Sequence, residues 1–163
     1  MNSIRHHQRV LGLVVMYIAL TSTLMFTGQI QAVEGKQPVI LQSAKSFADT
    51  VAGIKGAIKN KGLAIIFEAN HQNMIAMAGG ATTPGVAIGF AKPQTGQLLL
   101  SKEPLANIEM PLRIAVRELA NGKVYVIYYQ PSYLFAHYNN PKLGKLGEKM
   151  DKMVGMIAKA GTQ

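Results

Sequence analysis

The chain has 163 residues, with 17 Lys and Arg against 8 Asp and Glu, a net charge of +9 and no cysteine. Without cysteine there are no disulfides, thiol catalysis or iron–sulfur clusters, so core packing must hold the fold. The positive charge attracts anionic partners, but the basic residues are scattered and lack an aromatic RNA-binding motif, so nucleic acid is not expected as a partner.

Residues 1–32 have the three-part layout of a secretory signal. Arg5, His6, His7 and Arg9 form a basic start, Val10 to Phe26 an apolar run of 17 residues, and Ala32 a small residue suited to cleavage. The chain is therefore expected to be exported, to the periplasm or the extracellular space. The alternative is a membrane anchor formed by residues 10–26, at the short edge of a spanning helix. No cysteine stands near the cleavage point, so a bacterial lipoprotein is excluded. Cleavage leaves residues 33–163, which suit a single domain of 131 residues carrying fifteen basic and eight acidic side chains, a charge of +7.

Val39-Ile40-Leu41 reads as a first strand. Ser46 is an N-cap with Asp49 three residues on. It opens a helix from Phe47 to Lys61 with Phe47, Val51, Ile54 and Ile58 on one face. Gly62 ends this helix, and Gly53 and Gly56 leave room for a neighbouring backbone. Leu63 to Ala69 is a continuous apolar run, read as a central strand covered on both faces. Asn70 caps a short helix, His71 to Ala78, which ends at Gly79-Gly80.

Val86 to Phe90 is a third strand, Lys92 to Gly96 a turn, and Leu98 to Leu100 a short apolar anchor. Pro104 and Pro111 bracket a loop holding Glu109. Leu112 to Glu118 and Lys123 to Tyr129 flank Asn121-Gly122, a strong hairpin signal. Pro131 opens a helical turn through Leu134, Phe135 and His137. The last helix runs from Leu143 to Ala160, with Leu143, Leu146, Met150, Met153 and Ile157 on one face and a row of Lys142, Lys145, Lys149 and Lys152 beside it. This order predicts a two-layer α+β fold: about five strands in a mainly antiparallel or mixed sheet, with helices packed on it.

Several segments taken together resemble a known family. They are Ser46-Phe47-Ala48-Asp49-Thr50, Lys61-Gly62, Asn70-His71, Gly89-Phe90-Ala91-Lys92-Pro93, Ile108-Glu109-Met110-Pro111-Leu112, Asn121-Gly122-Lys123-Val124 and Tyr128-Tyr129-Gln130-Pro131-Ser132-Tyr133-Leu134. Their order is similar to that of the prokaryotic domain of unknown function 302. The resemblance implies a small α+β domain that commonly forms homodimers, and it carries no assigned reaction. Glu109 and Met110 stand where that family more often has Asp and Leu. The last helix lies beyond the best-matched stretch.

His71 is the leading candidate for chemistry. At the first position of a helix the positive dipole end favours a neutral imidazole, the state that binds a metal or haem. His71, Met74 and Met77 form an H-x-x-M-x-x-M pattern whose donors suit cuprous copper or an axial haem site. Methionines on a short helix also serve as core filler. Glu109 and Tyr128 are further candidate ligand residues near His71, and a His71/Glu109 acid–base pair is the enzymatic alternative. Phosphate-loop, nucleophile-elbow and paired-carboxylate signatures are missing, so binding is expected and catalysis is not. A second alternative is a structural or interaction module, acting through dimerisation and through a weak contact of the C-terminal helix with a protein or an anionic membrane.

Overall fold

A computed structural model describes residues 37–163, within the unit Val33–Gln163. The candidate export segment, including residues 10–26 and Ala32, lies outside the described residues. Five strands form one sheet: β1 Val39–Ser43, β2 Ala64–Asn70, β3 Gly85–Ala91, β4 Leu112–Glu118 and β5 Val124–Tyr128. Their order is β1-β5-β4-β3-β2, and every neighbouring pair is antiparallel. The helices are α1 Phe47–Asn60, α2 His71–Met77, α3 Pro93–Lys102, α4 Pro131–Ala136 and α5 Pro141–Thr162, with a 3₁₀ turn at Pro104–Glu109. This is the expected two-layer α+β arrangement, with a wholly antiparallel sheet.

Strand alternation sorts the two faces. Val86, Ile88 and Phe90 on β3, Leu112, Ile114 and Val116 on β4, and Val124, Val126 and Tyr128 on β5 are buried beneath the helices. Ile54 and Ile58 of α1, Leu99 of α3, Phe135 of α4, and Leu143, Met150, Val154 and Ile157 of α5 complete this core.

Local signals act as the sequence implies. The Asp49 N–H donates to Ser46 Oγ at 3.1 Å, and the Ser46 hydroxyl donates to Asp49 Oδ2 at 2.6 Å. Asn70 caps α2 by accepting from the Asn73 N–H at 2.9 Å. Gly62 turns out of α1 with φ +66°. A Cβ on Gly53 would meet the Ala160 carbonyl oxygen and Gly161 Cα at 3.1 Å, so this glycine lets α1 and α5 cross closely, whereas Gly56 has open space around it.

Two expectations are corrected. First, Leu63 to Ala69 is not a central strand: β2 is an edge, and Ile66 and Phe67 are exposed. Its unbroken apolar run reflects a register shift between Ile65 and Phe67, which upsets simple alternation. Second, Lys92 to Gly96 is no turn. Pro93 takes the N-terminal position of α3, which carries the chain through Leu98-Leu99-Leu100 to Lys102. The C-terminal helix is part of the core. Its Leu143, Met150, Val154 and Ile157 face is packed against α1, α4 and β1, while Lys142, Lys145, Lys149 and Lys152 are exposed.

Candidate functional site

Among the described residues all helices of the core lie on one face of the sheet, and no element covers the other. Strand register lays out its floor. Ala69 pairs with Ala87, Ala87 with Ala115, and Ala115 with Ile127, which pairs in turn with Ile40. Three alanines in a row leave a low strip between taller side chains. On one side Phe67 pairs with Gly89, which pairs with Arg113. The Phe67 ring lies across Gly89 in the space a Cβ would need, so a glycine is required for it to fold down there. On the other side Arg117 pairs with Tyr125.

A groove of about 270 Å³ opens at one end of this strip, lined by Ala87, Arg113, Ala115, Ile127, Tyr129, Leu134 and Glu109, with Tyr128 and Leu112 behind them. Its far wall comes from α4 and the 3₁₀ turn. The Tyr138 hydroxyl donates to Glu109 Oε1 at 3.2 Å and reaches the Leu105 carbonyl at 3.4 Å, tying the turn to the chain just after α4. Burial pushes the Tyr138 phenol above its ordinary pKa, and the bond to Glu109, with the charges of Glu109 and Glu103, adds to this. Tyr129 stacks on Tyr133 at 5.7 Å between ring centroids, and Tyr133 meets His137 edge-on at 5.0 Å. His137 Nδ1 lies 3.0 Å from the Leu134 carbonyl. This aromatic ladder braces α4, and Leu134 on α4 forms part of the groove wall.

The sequence-derived candidates are scattered. Asn70, just before His71, pairs with Val86, and Leu112, just after the Glu109 segment, pairs with Phe90. Four residue steps along β3 therefore separate the two ends, roughly 13 Å at 3.3 Å per residue. His71 and Glu109 stand at opposite ends of the sheet, which dismisses the acid–base pair. Tyr128 is a core residue, 8% exposed. Burial pushes its phenol pKa up, and the charge of Asp151 adds to that shift.

Met74 and Met77 are 58% and 89% exposed on the seven-residue α2, neither of them serving as core filler. A metal at His71, Met74 and Met77 would have only exposed donors from one short helix. Among the described residues no three His, Asp or Glu side chains gather to add to them, and the groove is lined by none of the three. Ser132 is not a nucleophile in waiting: its hydroxyl and its N–H both go to Asp151. Sequence reasoning missed Arg113. The available signal was its alternation with Ala115 opposite the buried Leu112, Ile114 and Val116.

Fold and groove define a small antiparallel α+β domain with one helical layer and one open sheet face. Residues 39–160 match the family described as "Domain of unknown function DUF302", and the chain belongs to that family. The match includes most of α5, so the last helix is part of the family domain, contrary to the narrower resemblance. The fold is similar to that of an uncharacterized conserved DUF302 protein from Bacillus stearothermophilus, with a TM-score of 0.72 and 17% identity, covering 77% of this chain and 98% of that one.

Among curated proteins, the chain is 26% identical over 96 residues to "Fluoride-specific ion channel FluC 1" of Brucella suis biovar 1 (strain 1330). A protein of the same name from Brucella abortus biovar 1 (strain 9-941) matches equally. The matched segment is 59% of this chain but 38% and 36% of those proteins, so the chain spans little more than a third of their length. Among the described residues no helix is long and apolar enough to cross a membrane.

Proposed function

We propose that this DUF302 domain is an exported binding protein, periplasmic or extracellular, which acts without catalysis and holds a small ligand in the groove on its open sheet face. One observation carries this reading. A 270 Å³ groove has an apolar floor, and the charged side chains of Arg113 and Glu109 converge on it. This moves the expected binding site away from His71. The haem or copper site envisaged there lacks supporting donors, and the FluC relatives' channel name rests on proteins of which the shared segment is a minor part. Native mass spectrometry of the purified protein tests the reading. A bound small molecule is expected, lost in Ala115→Phe, which fills the groove floor. A ligand retained by that variant, or lost only in His71→Ala, would overturn it.

A second reading concerns the partner, a second copy of the chain. Antiparallel sheets usually leave one face in water when it is polar, yet here Ile40 is 58% and Phe67 39% exposed at the two edges of an alanine-rich face. A two-fold pairing of such faces buries these side chains symmetrically. Sedimentation equilibrium is expected to give a dimer that dissociates in Ile40→Lys/Phe67→Lys. A dimer that survives both changes places the interface elsewhere. The exposed Lys row of α5 is the surface left for an anionic membrane or protein contact.

A further inference from the structure

Two arginines of β4, Arg113 and Arg117, share the open face, and they differ in what holds them. Arg117 donates from Nη1 to the Thr83 carbonyl at 3.0 Å and from Nη2 to Thr82 Oγ1 at 2.7 Å, so its guanidinium fastens the loop before β3. Arg113 makes no such bond among the described residues, where the only ion pair is Lys55 with Glu68, at 2.6 Å. It is exposed and lines the groove. Register fixes what stands beside it. Alternation puts Ala115 two residues further along β4 on the same face, about 6.6 Å away at 3.3 Å per residue. Ala87 of β3 and Ile127 of β5 flank Ala115 and complete an apolar floor. Glu109 precedes β4, on the other side of Arg113 from this floor, and one of its carboxylate oxygens accepts from Tyr138. Along β4 the groove therefore offers an acid, then a guanidinium with free donors, then an apolar floor.

We infer that the groove takes a small monocarboxylic acid as its anion, with the carboxylate on the Arg113 guanidinium and the apolar body on Ala115, Ala87 and Ile127. The inference rests on the reading that this groove is the ligand site. A carboxylate matches the planar guanidinium fork with two parallel hydrogen bonds. A wholly apolar ligand would desolvate Arg113 without giving it an acceptor, and an inorganic anion would leave the floor uncovered. An amine lying on the same floor would bring its ammonium against Arg113, with Glu109 on the far side. A second acidic group finds no partner, because Arg113 is the only cationic side chain lining the groove. Size sets the last limit: 270 Å³ is the space of about nine waters at about 30 Å³ each, which an aliphatic acid of about six carbons fills.

The test is calorimetric titration and amide chemical-shift mapping of the purified protein with hexanoate, hexanamide and hexylamine. Hexanoate is expected to bind best, with shifts centred on Arg113, Ala115 and Ile127, and hexanamide about tenfold more weakly, with hexylamine weaker still. Arg113→Gln should weaken hexanoate about tenfold, to the level of hexanamide, and leave hexanamide itself unchanged. Arg113→Lys keeps the charge without the fork and should fall between the two. Equal binding of hexanoate and hexanamide, a preference for hexylamine, a preference for hexanoate that survives Arg113→Gln, or no binding of any of the three overturns the carboxylate inference. A groove ligand found by mass spectrometry would still stand in each of those cases. Shifts confined to another part of the molecule overturn the groove reading itself.

Discussion

Asp151 of α5 takes both donors of Ser132 on α4: the Ser132 N–H at 2.9 Å to Oδ1 and the hydroxyl at 2.5 Å to Oδ2. Ser132 sits in the first turn of α4, whose N-cap Gln130 makes no side-chain cap of its own. A carboxylate from another helix therefore does the work of a local cap, and does so at the positive end of the α4 dipole. The pair fixes α4 on α5, and with it Leu134 in the groove wall.

Removing that carboxylate should be felt in stability. Asp151→Ala leaves the α4 N-terminus uncapped and is expected to cost about 1–2 kcal/mol. Ser132→Ala keeps the backbone bond and should cost less. Urea denaturation of the two variants checks the order.

The Phe67 ring lying across Gly89 gives a second prediction. Gly89→Ala puts a methyl group where the ring lies and should destabilise by about 1–3 kcal/mol unless the ring swings out to solvent. In a Phe67→Ala background the same change should cost clearly less. A double-mutant cycle measures the difference, which should vanish if the ring and residue 89 are independent.

Alkaline stability follows from the two raised phenols. Tyr128 and Tyr138 have native pKa values above the ordinary 10.0, so above that pH the unfolded chain releases these protons first. Stability is thus unaffected by these groups below pH 10 and falls as pH rises from 10 through the native values. Denaturation midpoints compared at pH 8 and pH 11 should show this loss. Tyr128→Phe and Tyr138→Phe should each make the loss smaller, and an unchanged loss in both variants would contradict the assignment.

The C-terminal helix separates its two faces cleanly. Truncation after Asn140 removes buried Leu143, Met150, Val154, Ile157 and Ala158 and should abolish cooperative unfolding, seen as loss of the near-ultraviolet dichroism. Replacing Lys142, Lys145, Lys149 and Lys152 with Ser should change stability by no more than about 0.5 kcal/mol per site. If the truncated chain stays folded, α5 is not part of the core.

How much was legible beforehand depended on the range of the interaction involved. The Ser46 and Asn70 caps, the Asn121-Gly122 hairpin and the apolar face of α5 were all readable, because each is decided within a turn or two of chain. The candidate site was legible only in part: Glu109 and Tyr128 were named and line the groove, whereas Arg113 was missed. His71 drew attention through its neighbours in sequence, whereas Arg113 and Glu109 matter because of what Ala87, Ile127 and Leu134 contribute from three other elements.

Sequence alone determined the type of most elements, α3 excepted, and which side of α1, β4, β5 and α5 faces the core, since periodicities of 2 and 3.6 report burial directly. It also determined that the described domain holds together without disulfides. Only the tertiary structure decided that β2 is an edge, that His71 and Glu109 lie at opposite ends, and that three alanines line up across the open face. Each of these depends on strand order and register, which are set by pairings between residues distant in the chain. A strand's own pattern shows which way its side chains point. It does not show which strand lies beside it, and that neighbour is what gives the groove its floor.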